Sequence, residues 1–459
     1  VTYHYLLTFL AAFLATASCA YALPNIDKLA DAEKFQEVIA VCDKAIRKDP
    51  KDAKAYGIRS WANCRLERYP KAIEDSSTAI KLDRNYARAY RYRAYANYEL
   101  KKYGDSIVDC NKAISLDPTG DQCAYWTRGM AHHYLHQSEK AISDLSAAIA
   151  LSKQRFPEYF GDRGILFQCA EKYEEAIKDF DTLLTFHSKG PWAVWAHWQK
   201  GQTFRFKGDS QRSIESCNTA LSQNPKYSDA YLTKAWAHYK LQQYDLAVSA
   251  ASKAIDSDPS NYHNYVCRGD AYWTLRNSEA IADLRKAAEL SNSAERYEFL
   301  AFCCADFNRH KERVEALTKA IEIELKCPSK VQPSFAKPLG TYFYCRGISR
   351  HNIGQFAQAI DDFNNSITVH SRFSVEFAYY RRARSNLALG HIEEALRDCD
   401  QAALGLVGDD RIYELRAEIH EKQGQFELAS SERILAELAE YRCKLACWLK
   451  SSLALFELK

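Results

Sequence analysis

Three groups of side chains in this 459-residue chain have types and spacings that could do chemistry. His132, His133 and His136 crowd one segment, with His132 and His136 a helical turn apart, a spacing at which two imidazoles can hold zinc. No acidic or thiol residue falls on that face to complete a ligand set, so no metal is expected. The 15 cysteines carry no CxxC pair and no zinc-ligand spacing. Cys303 and Cys304 are adjacent and Cys443 and Cys447 lie one turn apart, neither of which is a bridging arrangement. Cys42, Cys110, Cys217 and Cys399 share one position of a repeat described below, where a free thiol packs as a small hydrophobe. The third group is charged. Arg59, Arg93, Arg128, Arg163, Arg346 and Arg382 are each followed sixteen residues later by an aspartate: Asp75, Asp109, Asp144, Asp179, Asp362 and Asp398. Arg416 is followed likewise by Glu432, and Arg268 by Asp283 one residue sooner. An arginine fork meets a carboxylate well at such a crossing, which reads as structural registry. GxSxG, HExxH, GxxxxGK[ST] and GxGxxG are all absent, so neither catalysis nor a bound cofactor is expected. Asn364-Asn365-Ser366 matches a glycosylation acceptor, relevant if the source is eukaryotic.

The elements that must carry these residues repeat. YPKAIEDSSTAIKLD at 69–83, YGDSIVDCNKAISLDP at 103–118, YEEAIKDFDTLL at 173–184 and YDLAVSAASKAIDSDP at 244–259 follow one pattern with a period of about 34 residues. Each is preceded by a segment such as AYRYRAYANY, YWTRGMAHHY or AYLTKAWAHY, which share a second pattern. The repeats resemble the tetratricopeptide-repeat family over most of the chain. Small residues stand at the first tight contact (Ser60, Ala94, Gly129, Gly164, Gly201, Ala235, Gly269, Ala301, Gly347, Ala383, Ala417) and again on the following segment. These second-helix residues are Ala72, Ser106, Ala141, Ala176, Ser213, Ala247, Ala280, Ala359, Ala395 and Ala429. Two helices approach closely only where such side chains meet, so the recurrence specifies antiparallel helix pairs. Arg313 interrupts the second series and marks 294–326 as a degraded repeat; the first unit, with Phe35, Ile39, Ala45 and Pro50, is partial. The resemblance implies an all-α fold, a right-handed superhelical solenoid of antiparallel helix pairs whose inner wall is built from the first helix of each pair. His132 then stands where the family places a packing aromatic.

Residues 1–22 read as a secretory signal, apolar from Leu6 to Ala15 and ending Ala20-Tyr21-Ala22, which predicts an exported chain, periplasmic or secreted. Retention as a membrane anchor is the alternative, and Thr16-Ala17-Ser18-Cys19 resembles a lipidation box at Cys19. After the signal, about nine repeats fill 23–326, a Pro-containing linker spans 327–339, about three repeats fill 340–440, and 441–459 reads as a capping helix. A shorter interruption falls at Ser188 to Pro191. Lys+Arg 62 against Asp+Glu 59 leaves +3, so nucleic acid is not an expected partner. The low Gly and Pro content, 17 and 11, disfavours the many turns of an all-β protein.

With catalysis set aside, the inner wall is the part with something to offer. Carrying the family frame onto this chain, the groove-facing positions of the first helices hold Tyr92, Tyr95, Tyr98, Trp126, Trp195, Trp198, Trp236, Tyr239, Trp273, Phe302, Tyr344 and Tyr380, with Trp61, Phe299 and Phe377 beside them. The Lys, Asn and Arg set with which some family members grip a C-terminal carboxylate is not supplied by any three successive units. The wall invites two readings: the aromatics pack on one another, or they receive an extended polypeptide. Tyr95, Trp236 and Tyr239 combine groove positions with polar tips and are the expected contacts. The expected function is a protein-binding scaffold; the alternatives are a subunit or assembly factor of a cell-envelope, secretion or pilus machine and, last, an enzyme with an unrecognised groove site.

Overall fold

The computed structural model describes residues 32–119, 122–153, 155–326, 336–369, 375–406 and 409–456, with Ile26 and Leu29. All regular structure among the described residues is helical. The signal segment 1–22 with Cys19, and residues 327–335 of the expected linker, lie outside the described residues. The chain forms two compact units, Val1–Leu241 and Gln242–Lys459. In the first, α1 (Phe35–Lys48) is followed by the hairpins α2 (Ala53–Arg65) with α3 (Tyr69–Leu82), α4 (Ala87–Glu99) with α5 (Tyr103–Leu116), α6 (Gln122–Tyr134) with α7 (Ser138–Ser152), α8 (Glu158–Cys169) with α9 (Tyr173–Phe186), and α10 (Pro191–Lys207) with α11 (Ser210–Gln223). Helix α12 (Ser228–Lys240) completes it. The second unit opens with α13 (Tyr244–Ser257) and continues through α14 (Tyr262–Thr274) with α15 (Glu279–Ser291), α16 (Ala294–Asp306) with α17 (His310–Leu325), α18 (Ala336–Asn352) with α19 (Phe356–Thr368), α20 (Val375–Leu389) with α21 (Ile392–Gly405), and α22 (Asp410–Lys422) with α23 (Phe426–Phe456). Residues 441–456 extend α23 rather than forming a helix of their own. No Gly or Pro stands between Phe426 and Phe456 to end the helix sooner. Among the described residues no helix is long and apolar enough to cross a membrane.

The small residues of the two series meet where the pattern places them. Ser60 and Ala72 are fully buried, and the Ser60 hydroxyl donates to the Ala72 carbonyl at 2.7 Å. At Gly129 a Cβ would stand 2.5 Å from Leu145 Cδ1 and 3.1 Å from the Ala141 carbonyl oxygen, so a side chain at the α6–α7 crossing would require Leu145 and its neighbours to shift. Between the two helices of a pair the chain turns through one left-handed residue, such as Lys101 at φ 60°. The Lys102 amide then reaches back to the Asn97 carbonyl at 2.8 Å, closing the helix end in a Schellman turn. Between pairs an acidic or amide side chain organises the turn, as where Asp83 accepts from the Asn85 amide at 2.9 Å. Cys42, Cys110, Cys217 and Cys399 are fully buried, and burial pushes the Cys42 and Cys399 thiols up to about 12.

The arginine–carboxylate pairs form a row of rungs across the hairpins. Arg128 Nε and Nη2 donate to Asp144 at 2.9 and 2.6 Å, and Arg163 makes the same fork to Asp179 at 2.8 Å for both bonds. Arg93, Arg268 and Arg382 repeat this geometry with Asp109, Asp283 and Asp398, and Arg59 and Arg346 make closely similar forks to Asp75 and Asp362. The rung aspartates are between 1% and 6% exposed, so each depends on its arginine for charge balance. Hydrogen bonding to Asp75 raises the Arg59 guanidinium above its ordinary range. The last pair departs from expectation: Arg416 bonds Asp400, while Glu432 lies 3.9 Å away with a buried, unpartnered Oε2.

Candidate functional site

In the first unit, five of the expected groove residues are buried: Tyr92, Tyr95, Tyr98, Trp126 and Trp195. They pack on one another and on neighbouring rings, as the first of the two readings requires. Tyr95 and Tyr98 are stacked at 6.4 Å, Tyr98 meets Trp126 edge-on at 6.1 Å, and Trp126 stacks with Tyr159 at 6.5 Å. Trp195 sits edge-on to Phe180 at 5.9 Å. The Trp126 indole N–H donates to Asp162 at 2.7 Å, and burial raises that carboxyl to about 7. Tyr95, expected to offer its hydroxyl outward, is 6% exposed, and burial first, then the adjacent Glu99, pushes its pKa well up. The rings flanking it, Tyr69 and Tyr98, close over it. Trp198, Trp236 and Tyr239 remain half-buried. Trp198 on α10 donates to Thr233 Oγ1 of α12 at 3.0 Å and lies edge-on to Tyr227, while Trp236 and Tyr239 form an edge-to-face pair at 5.7 Å.

In the second unit Tyr344 is buried, edge-on to Phe363 at 6.1 Å. Tyr380 is half-buried and is flanked by the Arg381 and Arg411 guanidinium groups at 5.8 and 5.9 Å. Trp273 on α14 is half-buried, edge-on to Phe299 of α16 at 5.3 Å, with its indole N–H donating to Asp306 at 3.0 Å. Phe302, one turn on from Phe299, is 46% exposed. Asp270 on α14 has a buried Oδ1 with no hydrogen-bond partner among the described residues, and burial raises its carboxyl to about 6. Helices α14 and α16 therefore hold large apolar rings near one buried acceptor, Asp270 Oδ1, that the fold leaves without a partner.

The histidine cluster is explained by packing. His132 Nδ1 lies 2.8 Å from Gln137 Oε1 and its Nε2 lies 3.9 Å from rung residue Asp144. His420 repeats the contact with Gln425 at 2.8 Å, which makes it a feature of the turn. Among the described residues no group of three or more His, Cys, Asp or Glu could hold a metal ion. Asn364 of the glycosylation motif lies within α19 with its Oδ1 accepting from Arg382, and Ser366 is fully buried, so the motif is part of the packed hairpin.

Sequence pairing missed the third member of each rung. Arg59 Nη1 reaches back to Asp43 at 2.7 Å, Arg128 to Asn111 at 2.6 Å, Arg163 to Ser146 at 3.0 Å, Arg268 to Ser252 at 3.0 Å and Arg346 to Thr318 at 3.1 Å. Each acceptor belongs to the preceding second helix, so one guanidinium ties three helices together. The signal was present: the residue after the shared cysteine position is a hydrogen-bond acceptor in nearly every repeat, as in Asp43, Asn111, Asn218 and Asp400.

A family model described as tetratricopeptide repeat matches residues 65–121 and 199–262. The chain is 23% identical over 199 residues to the mitochondrial import receptor subunit TOM70 of Homo sapiens, covering 41% of this chain and 33% of that protein. It is 33% identical over 104 residues to tetratricopeptide repeat protein 13 of Homo sapiens, covering 23% of this chain and 12% of that protein. The chain thus spans a third or less of the length of these relatives. Among solved structures it is similar to PilW, described as a widely conserved type IV pilus biogenesis factor, with a TM-score of 0.41 and 19% identity over 46% of this chain and 98% of that one. It is also similar to YrrB, described as a TPR protein with an unusual peptide-binding site, with a TM-score of 0.36 and 19% identity over 41% of this chain and 95% of that one. The paired helices, the recurring small-residue contacts and the matched repeat model show that this chain carries tetratricopeptide repeats.

Proposed function

We propose that the chain is a protein-interaction scaffold that binds an extended, largely apolar polypeptide segment against half-exposed aromatics of its first helices. The observation that carries this reading is Phe302 on first helix α16, 46% exposed and one turn from Phe299, whose ring meets Trp273 of first helix α14. Leaving such a ring in water forgoes roughly 1–2 kcal/mol of burial, which a partner segment recovers on docking. Trp236 and Tyr239 offer a second patch of the same kind in the first unit. The buried rings Tyr92, Tyr95, Tyr98, Trp126, Trp195 and Tyr344 serve as the rigid floor. The test is to select peptides on the wild-type chain by display and titrate them against Phe302→Ala and against Trp236→Ala with Tyr239→Ala. Each variant is expected to lose about tenfold or more in affinity for peptides using its patch, with helical content unchanged. Unchanged affinity in both variants removes these faces from the account. Export is proposed on residues 1–22 alone, and N-terminal sequencing of the mature chain tests it; a chain beginning before residue 23 counts against cleavage.

A further inference from the structure

Helix α23 departs from the second helices before it in length and in where its apolar residues stand. It runs 31 residues, against 14 in α21. One side closes the last hairpin, where Ala429, Ala436 and Ala439 are buried and α23 packs on α22. The positions that receive the following first helix in other repeats are changed. Arg433 stands in the shared cysteine position and is ion-paired with Glu421, and Ile434 stands where Asp43, Asn111 and Asp400 accept from an arginine or await one. Large apolar residues gather instead on the side away from the hairpin. Leu438 and Tyr441 each follow a buried alanine by two residues, which is about 200° around the helix. Ile434, Leu438 and Tyr441 are 57%, 55% and 69% exposed, and Leu435 beside them is 44% exposed.

The sequence carries this stripe on with alternating steps of four and three: Ile434, Leu438, Tyr441, Leu445, Trp448, Ser452 and Leu455, apolar at every place but Ser452. A repeat of seven averages 3.5 residues per turn, so over three heptads the stripe stays in line only along a second helix that supercoils with it. We propose that α23 pairs in parallel with α23 of a second copy of this chain. Identical helices in parallel register set each seam position against itself, Leu438 facing Leu438, so one stripe supplies both sides of the contact. The flanking charges suit the same register. Glu437 precedes the seam residue Leu438, and position 442, five residues on, is Arg. Parallel pairing brings these two positions together across the seam, acid against base, once on each side of the two-fold axis. This contact is separate from the aromatic faces of the first helices and goes beyond the function proposed for them.

The test is sedimentation velocity of the full chain from about 1 to about 100 μM, which is expected to show a reversible dimer. Leu438→Asp with Tyr441→Asp is expected to raise the dissociation constant at least about a hundredfold, with helical content unchanged because both side chains are exposed in the hairpin. Leu404→Asp, at the matching place on α21 and 74% exposed, is expected to leave the dimer intact. Glu437→Lys is expected to weaken pairing about threefold or more, and adding Arg442→Glu to restore it. A monomer throughout the range, a dimer indifferent to Leu438→Asp with Tyr441→Asp, or equal loss in Leu404→Asp overturns the assignment. So does a monomer that binds phosphatidylglycerol vesicles through the same two residues. Failure of Arg442→Glu to restore pairing overturns the parallel register.

Discussion

Hairpins α8–α9 and α16–α17 are built on the same plan and are held together differently. In the first, Arg163 forks onto Asp179, reaches back to Ser146 and lies over Phe160 and Phe167 at 5.7 and 5.5 Å. In the second, none of these charges is present, and the crossing relies on Leu300, Ala316, Leu317 and Ala320, all buried. Apolar packing therefore suffices to make the hairpin, and the rung is an addition that fixes register and ties one pair to the one before it. Where the rung is absent the fold persists. The positions of Lys200 and Lys234 are intermediate cases. Lys200 reaches back to Asp181 at 2.5 Å and Lys234 to Asn218 at 2.7 Å, while Ser216 and Ala250 replace the forward aspartate.

The largest effect should come from breaking a rung that has no substitute. Arg163→Ala strands Asp179, whose side chain is 5% exposed, and is expected to cost about 3–5 kcal/mol in urea unfolding. Arg346→Ala should cost less, because Arg350 keeps a 2.9 Å bond to Asp362. Equal losses in the two variants would show that the rungs act through packing alone. Next in size is a pH effect. Burial raises Asp162 from 3.8 to about 7, so the folded state holds its proton more tightly than the unfolded chain. Its contribution is full below about pH 4 and is lost as pH rises toward 7. Asp162→Asn keeps an acceptor for the Trp126 indole and should remove a decline of roughly 2–4 kcal/mol across that window, measured as the urea midpoint against pH. An unchanged pH profile in the variant would contradict the assignment. Installing a rung at an intermediate position, Lys200→Arg with Ser216→Asp, should gain about 1 kcal/mol, since the new pair is partly exposed. The smallest effect belongs to the turns. Lys101→Gly relieves a left-handed lysine that Gly354 and Gly390 avoid at equivalent places, and should gain about 0.5–1 kcal/mol in thermal unfolding.

Much of this was legible from the residues. The Ser60–Ala72 contact and the rungs from Arg59 through Arg382 follow from side-chain size and charge at fixed spacing, which a repeated sequence states many times over. What the spacing does not encode is how far neighbouring rings close over one another. Tyr95 and Tyr239 have similar chemistry and nearby places on their helices, yet Tyr95 is enclosed by Tyr69 and Tyr98 while Tyr239 stays half-open beside Trp236. Exposure of that kind depends on the side chains of several helices at once.

The most direct test of the scaffold reading is photo-crosslinking of a display-selected peptide from two exposed places in the second unit, position 302 on first helix α16 and position 246 on second helix α13. With a benzophenone side chain at each place in turn, the account predicts efficient crosslinking from 302 and little from 246. Equal crosslinking, or a preference for 246, would contradict it.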